Sequence, residues 1–383
     1  MIPFDYQPRT RIVFGPDKID SLGALAGELG ARRALVVSDP GIVKVGHAER
    51  GLESLAKAGI EAQLYDGVEE NPTTDNVDAG AALCRRYQPE LIVGLGGGSS
   101  MDCAKGINFV YTGGGRMHDY WGVGKATSPM LPMIAVPTTA GTGSETQSFA
   151  LISDAKTHAK MACGDKKASF RVALLDPALT VSQPHSVTAL TGIDAIAHAL
   201  ETYVTKVRNP VSLAFSREAW LLLGENFSRV LAEPANLEAR GGMQLGACFA
   251  GLAIENSMLG ATHALANPLT SRYGIVHGRA IGLMLPHVIR FNGAEFGSWY
   301  RDLLEGTGGT NGFPKPESGY QGLADYVAKL AQEAGLPSRL SECGVEHTKL
   351  AEMAAEAAKQ WTGSFNPRRV GEAELCALYE AAY

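Results

Sequence analysis

From the N-terminus to about Pro184, short apolar runs rich in β-branched residues alternate with Ala-rich stretches of helical period. Arg11–Phe14, Ala34–Ser38, Leu91–Leu95, Met133–Val136 and Val172–Leu175 read as strands, and Lys18–Leu29 and Asp75–Arg86 as helices. Strand and helix in alternation predict a parallel α/β sheet with helices packed on it. Beyond Pro184 the texture changes. Ser186–Val204, Pro210–Leu231, Leu237–Leu252 and Leu323–Ala334 carry Ala and Leu at helical spacing, with almost no strand-like alternation. The pattern predicts an α/β domain over residues 1–184 and an all-helical domain over 185–383. The stretch Glu305–Tyr320, with five glycines and two prolines, reads as an exposed loop.

Composition narrows the function classes. A 383-residue chain that is 45% hydrophobic and 19% charged can bury two ordinary cores, which excludes a disordered scaffold. Its net charge of −6, with basic residues scattered, argues against nucleic acid as a partner. The opening MIPFDYQPRTRIVF has no positive region followed by an apolar run, and nowhere do eighteen apolar residues stand together. A cytoplasmic protein without a membrane partner is expected. Six cysteines without a C-x-x-C pair fit neither a disulfide framework nor a zinc ribbon, and read as reduced thiols.

Two loops suggest a dinucleotide. Leu91–Ser100 (LIVGLGGGSS) is a buried strand running into glycines and serines ahead of a helical stretch, a setting in which backbone N–H groups and a helix dipole favour a phosphate. It departs from the usual Rossmann fingerprint: Gly94-x-Gly96-x-x-Ser99 lacks the third glycine, and no acid follows at the required distance. Pro137–Glu145 (PTTAGTGSE) follows the next strand and offers the hydroxyls of Thr138, Thr139 and Thr142. Asp39, at the end of Ala34–Ser38, can accept from an adenosine ribose and repel a 2′-phosphate, which favours NAD over NADP; in an Asp-Pro-Gly sequence it can equally be a turn former.

Metal-binding residue types gather in the second half. Asp194 and His198, four apart in an apolar helical pattern, project from one helix face. His263 in Gly260–Asn267 is expected at a helix end, and His277 in a short Gly-flanked turn. Three imidazoles and a carboxylate suit Fe(II) or Zn(II) and are poorly suited to Mg or Ca.

Together these residues resemble the iron-containing alcohol dehydrogenases. The resemblance runs nearly end to end and is carried by Glu70–Thr73 (ENPT), Gly96–Ser99 (GGGS) with Asp102 and Lys105, Pro137–Glu145, Asp176-Pro177, and Thr191-Gly192 before Asp194. It implies reversible hydride transfer between a small alcohol, or its aldehyde or ketone, and NAD, with a divalent metal polarising the substrate oxygen. By the resemblance, Asp194, His198, His263 and His277 hold Fe(II), with Zn(II) the alternative, and no other catalytic residue is implied. Asp39 meets the adenosine ribose, while Asn71, Gly97, Gly98, Ser99, Thr138, Thr139, Thr142 and Lys160 line the dinucleotide. A homo-oligomer is implied too. In one departure, Asn267 stands where many relatives carry a second histidine four residues after the third ligand. Similar enzymes remain as alternatives: a zinc-dependent glycerol dehydrogenase, a maleylacetate reductase, or a lyase resembling dehydroquinate synthase. The lyase would need a basic nest for an anionic substrate, and Gly260–Gly278 carries only Arg272.

Overall fold

Alternate residues of the central strands face opposite ways, and each face builds its own core. In the computed structural model, which describes residues 3–308 and 312–383, nine strands form: β1 (Arg11–Phe14), β2 (Arg33–Val37), β3 (Glu61–Tyr65), β4 (Leu91–Gly96), β5 (Gly122–Val123), β6 (Met133–Pro137), β7 (Phe149–Ser153), β8 (Lys160–Gly164) and β9 (Val172–Leu175). Six make a parallel sheet of order β1-β9-β6-β4-β2-β3. Helices α1 (Leu22–Glu28), α2 (Pro40–Lys44), α3 (His47–Lys57), α4 (Thr74–Tyr87) and α5 (Gly98–Gly113) lie among these strands in the chain. On one face Ala34, Val36, Leu91, Val93 and Ile134 meet Leu22, Leu25 and Leu55 of α1 and α3. On the other, Leu35, Val37, Ile92, Met133 and Ala135 meet Val77, Met101 and Ile107 of α4 and α5. Burial on both faces is why these strands read as continuous apolar runs.

Two features lie outside the sequence expectation. β3, of sequence EAQLY, is an edge strand that is partly exposed, so it lacks the apolar run that marks its neighbours. A second sheet of order β5-β8-β7 pairs β7 and β8 antiparallel, which adds a hairpin to an otherwise parallel unit.

The strand order also marks a place for a ligand. From β2 the chain steps to β3 on one side, then returns to β4 on the other side of β2 and continues outward to β6 and β9. The reversal leaves a crevice beyond the carboxyl ends of β2 and β4, where open α/β sheets bind their ligands. Asp39 follows β2 there, and Gly96 ends β4.

Residues Gln7–Gln183 form one compact unit, and Pro184–Tyr383 with the residues ahead of Gln7 form the other. The second consists of α6 (His185–Val204), α7 (Pro210–Ala232), α8 (Leu237–Glu255), α9 (Ala261–Tyr273), α10 (His277–Glu305), α11 (Gly319–Glu333), α12 (Leu350–Ala357) and α13 (Glu372–Ala382), with no strand among the described residues. α6 is central: every residue from Gly192 to Val204 is buried, and α7, α8 and α10 pack around it. Such burial explains why its sequence is largely apolar. Of the expected loop Glu305–Tyr320, residues 309–311 lie outside the described residues, and Pro316–Ser318 form a 3₁₀ turn. Among the described residues no helix is long and apolar enough to cross a membrane.

Asp176 ties the first strand of the α/β unit to its last. Fully buried, it accepts from Asp17 N and Ala178 N at 3.0 Å through Oδ1, and from Ile19 N at 3.1 Å through Oδ2. Asp176→Ala strands these donors, and at about 1–3 kcal/mol per buried unsatisfied group the unit should lose about 3 kcal/mol. Thermal unfolding should show a fall of roughly 10 °C. A midpoint equal to wild type would show that these contacts contribute no net stability.

Candidate functional site

In the α/β unit the cradle begins at Gly96, whose φ of 149° and lack of a side chain are both required. A Cβ there would lie 2.4 Å from Ser100 Oγ. The chain then enters the 16-residue α5 with Gly97 at its N-cap and no capping side chain, so its first N–H groups have no side-chain acceptor at that cap. Such an end attracts an anion. The loop after β6 stands alongside. Thr138 N donates to Gly96 O at 2.9 Å, Thr139 lies over Gly97, and a Cβ on Gly98 would fall 2.6 Å from Thr142 Cγ2. Thr138 Oγ1 is buried without a hydrogen-bond partner.

Asn71 and Asp39 touch the glycine loop, whereas Lys160 belongs to the second sheet. Asn71, at φ 55°, donates its N–H to Ser99 Oγ at 3.3 Å. Asp39 has two roles: Oδ1 caps α2 by accepting from Ile42 N at 3.1 Å, while Oδ2 accepts from Ser100 Oγ at 3.3 Å. In place of a turn, the Asp-Pro-Gly sequence starts a short helix, and Asp39 caps it while also standing beside the glycine loop. Lys160 is exposed at the start of β8, opposite Ser153, whose N–H reaches Pro72 O at 2.9 Å.

Beneath the loops lies a polar support. The fully buried Lys105 ammonium donates to Ser144 Oγ (2.7 Å), Ser144 O (2.8 Å) and Phe149 O (2.7 Å). The Ser144 hydroxyl in turn donates to Asp102 Oδ1 at 2.6 Å, and Leu151 N to Asp102 Oδ2 at 3.1 Å. A buried charge is tolerable only with such partners; here they pin Ser144–Leu151 to α5. Burial pushes the neighbouring Glu145 carboxyl up to about 7, against the pull of its own N–H and of Lys105.

In the helical unit four side chains converge. Asp194 Oδ1 lies 3.4 Å from His198 Nε2, 3.4 Å from His263 Nε2 and 3.6 Å from His277 Nε2. Asp194 and His198 come from one face of α6, His263 from the first turn of α9, and His277 from the first residue of α10. The expectation of a turn at His277 is thereby corrected: Gly278 does not break the chain but lets α10 pack on α6, since a Cβ there would meet Leu190 O at 2.3 Å. The rings of His198 and His263 stack with centroids 4.9 Å apart.

The electrostatics ask for positive charge at this point. Burial disfavours an ionised Asp194, yet His198, His263 and His277 hold its carboxyl well below the usual range. Burial likewise favours a neutral His263, but Glu201 and then Asp194 outweigh it and push the ring up to about 9. Asp194 Oδ1 and His263 Nε2 are buried, aimed at one point, and without a hydrogen-bond partner. Nitrogen and oxygen donors so placed fit a divalent ion, and Asp194, His263 and His277 by themselves offer ligand atoms within 4.8 Å of one another.

Sequence reasoning passed over Glu201. It lies seven residues after Asp194 on α6, and its Oε2 accepts from His263 Nδ1 at 2.6 Å. The signal was the continued spacing Asp194, His198, Glu201, which places three polar groups on one face of an otherwise apolar helix. Asn267, the departure noted from the resemblance, donates to Gln360 Oε1 at 2.9 Å.

Comparison with known proteins bears on both sites. Residues 8–177 match the family described as iron-containing alcohol dehydrogenase, and residues 188–383 match the C-terminal part of the Fe-containing alcohol dehydrogenase family. The 1,3-propanediol dehydrogenase of Klebsiella pneumoniae is 36% identical over 99% of both chains. The crystal structure of a 1,3-propanediol oxidoreductase superposes with a TM-score of 0.94 at 36% identity, covering all of both chains. That of sulfoacetaldehyde reductase from Bifidobacterium kashiwanohense, in complex with NAD+, gives a TM-score of 0.89 at 27% identity over 100% of this chain and 99% of its own. By full-length similarity in sequence and fold, the chain belongs to the iron-containing alcohol dehydrogenase family and is an oxidoreductase of alcohols and their aldehydes.

Proposed function

We propose that the protein transfers hydride reversibly between a small alcohol and NAD, with iron held by Asp194, His198, His263 and His277. The observation that carries this reading is the buried convergence of Asp194 Oδ1 and His263 Nε2, two orphaned ligand atoms 3.4 Å apart. When bound, the metal supplies Lewis acidity toward the substrate oxygen, and the nicotinamide a two-electron hydride acceptor.

The chain's own residues bind, orient and exclude water. The open N-terminus of α5 receives the pyrophosphate, with Gly97, Gly98 and Ser99 keeping the approach clear and Thr138, Thr139 and Thr142 forming the facing wall. Asp39 accepts from the adenosine ribose, and Asn71 and Lys160 line the dinucleotide. Asp194, His198 and His263 are buried, whereas His277 is 32% exposed at its side chain and leaves a way in for substrate. Asn267 has no titratable proton, and its amide nitrogen is engaged by Gln360. The proton of the alcohol therefore leaves by a route other than this side chain. The same reading takes the protein to be a cytoplasmic homo-oligomer without nucleic-acid or membrane partners, as its scattered charge and the family resemblance imply.

His263→Ala should abolish metal retention and lower activity by more than the roughly 10–100-fold typical of losing a hydrogen-bond partner behind a ligand. Elemental analysis of purified protein checks this, and normal metal content in the variant would refute the ligand set.

Asp39→Gly should raise kcat/KM with NADP relative to NAD, because the carboxylate repels a 2′-phosphate. Glycine suits the experiment: as an N-cap it costs only about a few tenths of a kcal/mol, so α2 survives the change. An unchanged NADP/NAD ratio would leave Asp39 with its capping role alone.

Protein purified without oxygen should contain iron, lose activity in air, and regain it with Fe(II) and a reductant. Air-stable activity in protein carrying stoichiometric zinc would keep the four ligands and reject iron.

A further inference from the structure

Glu201 stands next to the metal ligands on the sequence and in space, and its two oxygens perform different tasks. The side chain is 4% exposed. Oε2 accepts from His263 Nδ1 at 2.6 Å, while Oε1 accepts the backbone N–H of Thr262 at 2.7 Å. Thr262 lies in the first turn of α9, whose N-cap is Gly260 and carries no capping side chain. The next donor, Ala261 N, goes to Asn366 Oδ1 at 3.2 Å. The start of α9 is thus capped from other elements. Glycine at 260 leaves room for both acceptors: a Cβ there would crowd them, at 3.0 Å from Asn366 Oδ1 and 3.1 Å from Glu201 Oε1.

We infer that Glu201 is a positioning residue for the metal centre. It fixes His263 as the Nδ1–H tautomer, turning the Nε2 lone pair toward the point shared with Asp194 Oδ1, and it holds the helix start from which that ring projects. The inference rests on the metal-site reading above. A carboxylate is required because two N–H donors arrive from two directions and each needs an acceptor. A glutamine offers one oxygen. With its amide nitrogen toward the ring, it donates to Nδ1 and moves the ring proton to Nε2, where a ligand lone pair is needed. With the nitrogen toward Thr262, two donors face each other and the cap is lost. A hydrogen-bonded carboxylate behind a ligand histidine typically changes metal affinity by about 10–100-fold.

The test uses metal-free full-length protein and Zn(II) as the probe, with affinity read by competition against a chelator. Wild type, Glu201→Gln, Glu201→Ala and His263→Ala are compared. Thermal melting of the metal-free forms and imidazole ¹⁵N spectra of the zinc-loaded forms are recorded alongside. Glu201→Gln should bind zinc about 10–100-fold more weakly, and the wild-type spectrum should show His263 protonated at Nδ1 and metal-bound at Nε2. Glu201→Ala should also weaken zinc, even where it melts near the wild-type temperature. Two results overturn the inference: zinc bound by Glu201→Gln as tightly as by wild type with an unchanged Nδ1–H signal, or lower melting with unaltered zinc affinity, which would make Glu201 a helix cap alone. If His263→Ala binds zinc like wild type, the metal-site reading itself fails. If His263→Ala loses zinc while Glu201→Gln keeps it, only the role of Glu201 falls.

Discussion

Asp194 is a carboxylate buried in the middle of the most enclosed helix of its unit, and the second half of the chain is arranged around that fact. Taking an ionised carboxylate out of water costs several kcal/mol unless positive charge and hydrogen bonds meet it. Here three imidazoles stand within 3.6 Å of one oxygen. One comes from the same helix, and the other two from the starts of α9 and α10, so two helices must begin at the same point in space. Helix starts carry partial positive charge, which favours the carboxylates of Asp194 and Glu201. The small residues follow from this geometry: Gly260 admits two acceptors to the start of α9, and Gly278 brings α10 onto the backbone of α6.

The α/β unit answers a different demand, that of bringing backbone close to an anion. Its strand order reverses between β2 and β4, and the loops there bring glycines and hydroxyl side chains together with Asp39 beside them. Glycines at 96, 97 and 98 clear the approach, and the threonines after β6 close its side. The buried Lys105, Asp102 and Ser144 cluster works underneath, holding the second loop to the helix that follows the first. A lysine with no solvent contact is costly, and its three oxygen partners and nearby carboxylate are what make it tolerable.

Membership of the family coexists with a local change in chemistry. Asn267 carries an amide where the resemblance leads one to expect a histidine, and its hydrogen bond to Gln360 joins α9 to the segment that continues into Trp361–Phe365. The convergence of Asp194, His198, His263 and His277 does not involve this side chain.

Much of this was legible in the residues. Apolar runs in β2, β4 and β6 and the Ala/Leu texture after Pro184 announced the two kinds of unit, because burial on both faces of a sheet, or all round a helix, leaves its mark on composition. The glycine loop and the Asp194–His198 spacing were legible for a similar reason: one strand end or one helix face suffices to display them. β3 escaped because an exposed edge needs no apolar run, and the start of α10 at His277 escaped because Gly274 and Gly278 look like a turn until α6 is packed against them. That His263 and His277 meet Asp194, and that Glu201 stands behind His263, was decided by tertiary structure. These contacts join residues about 60 to 80 positions apart, and such pairings depend on how helices pack, which no local pattern of residues encodes.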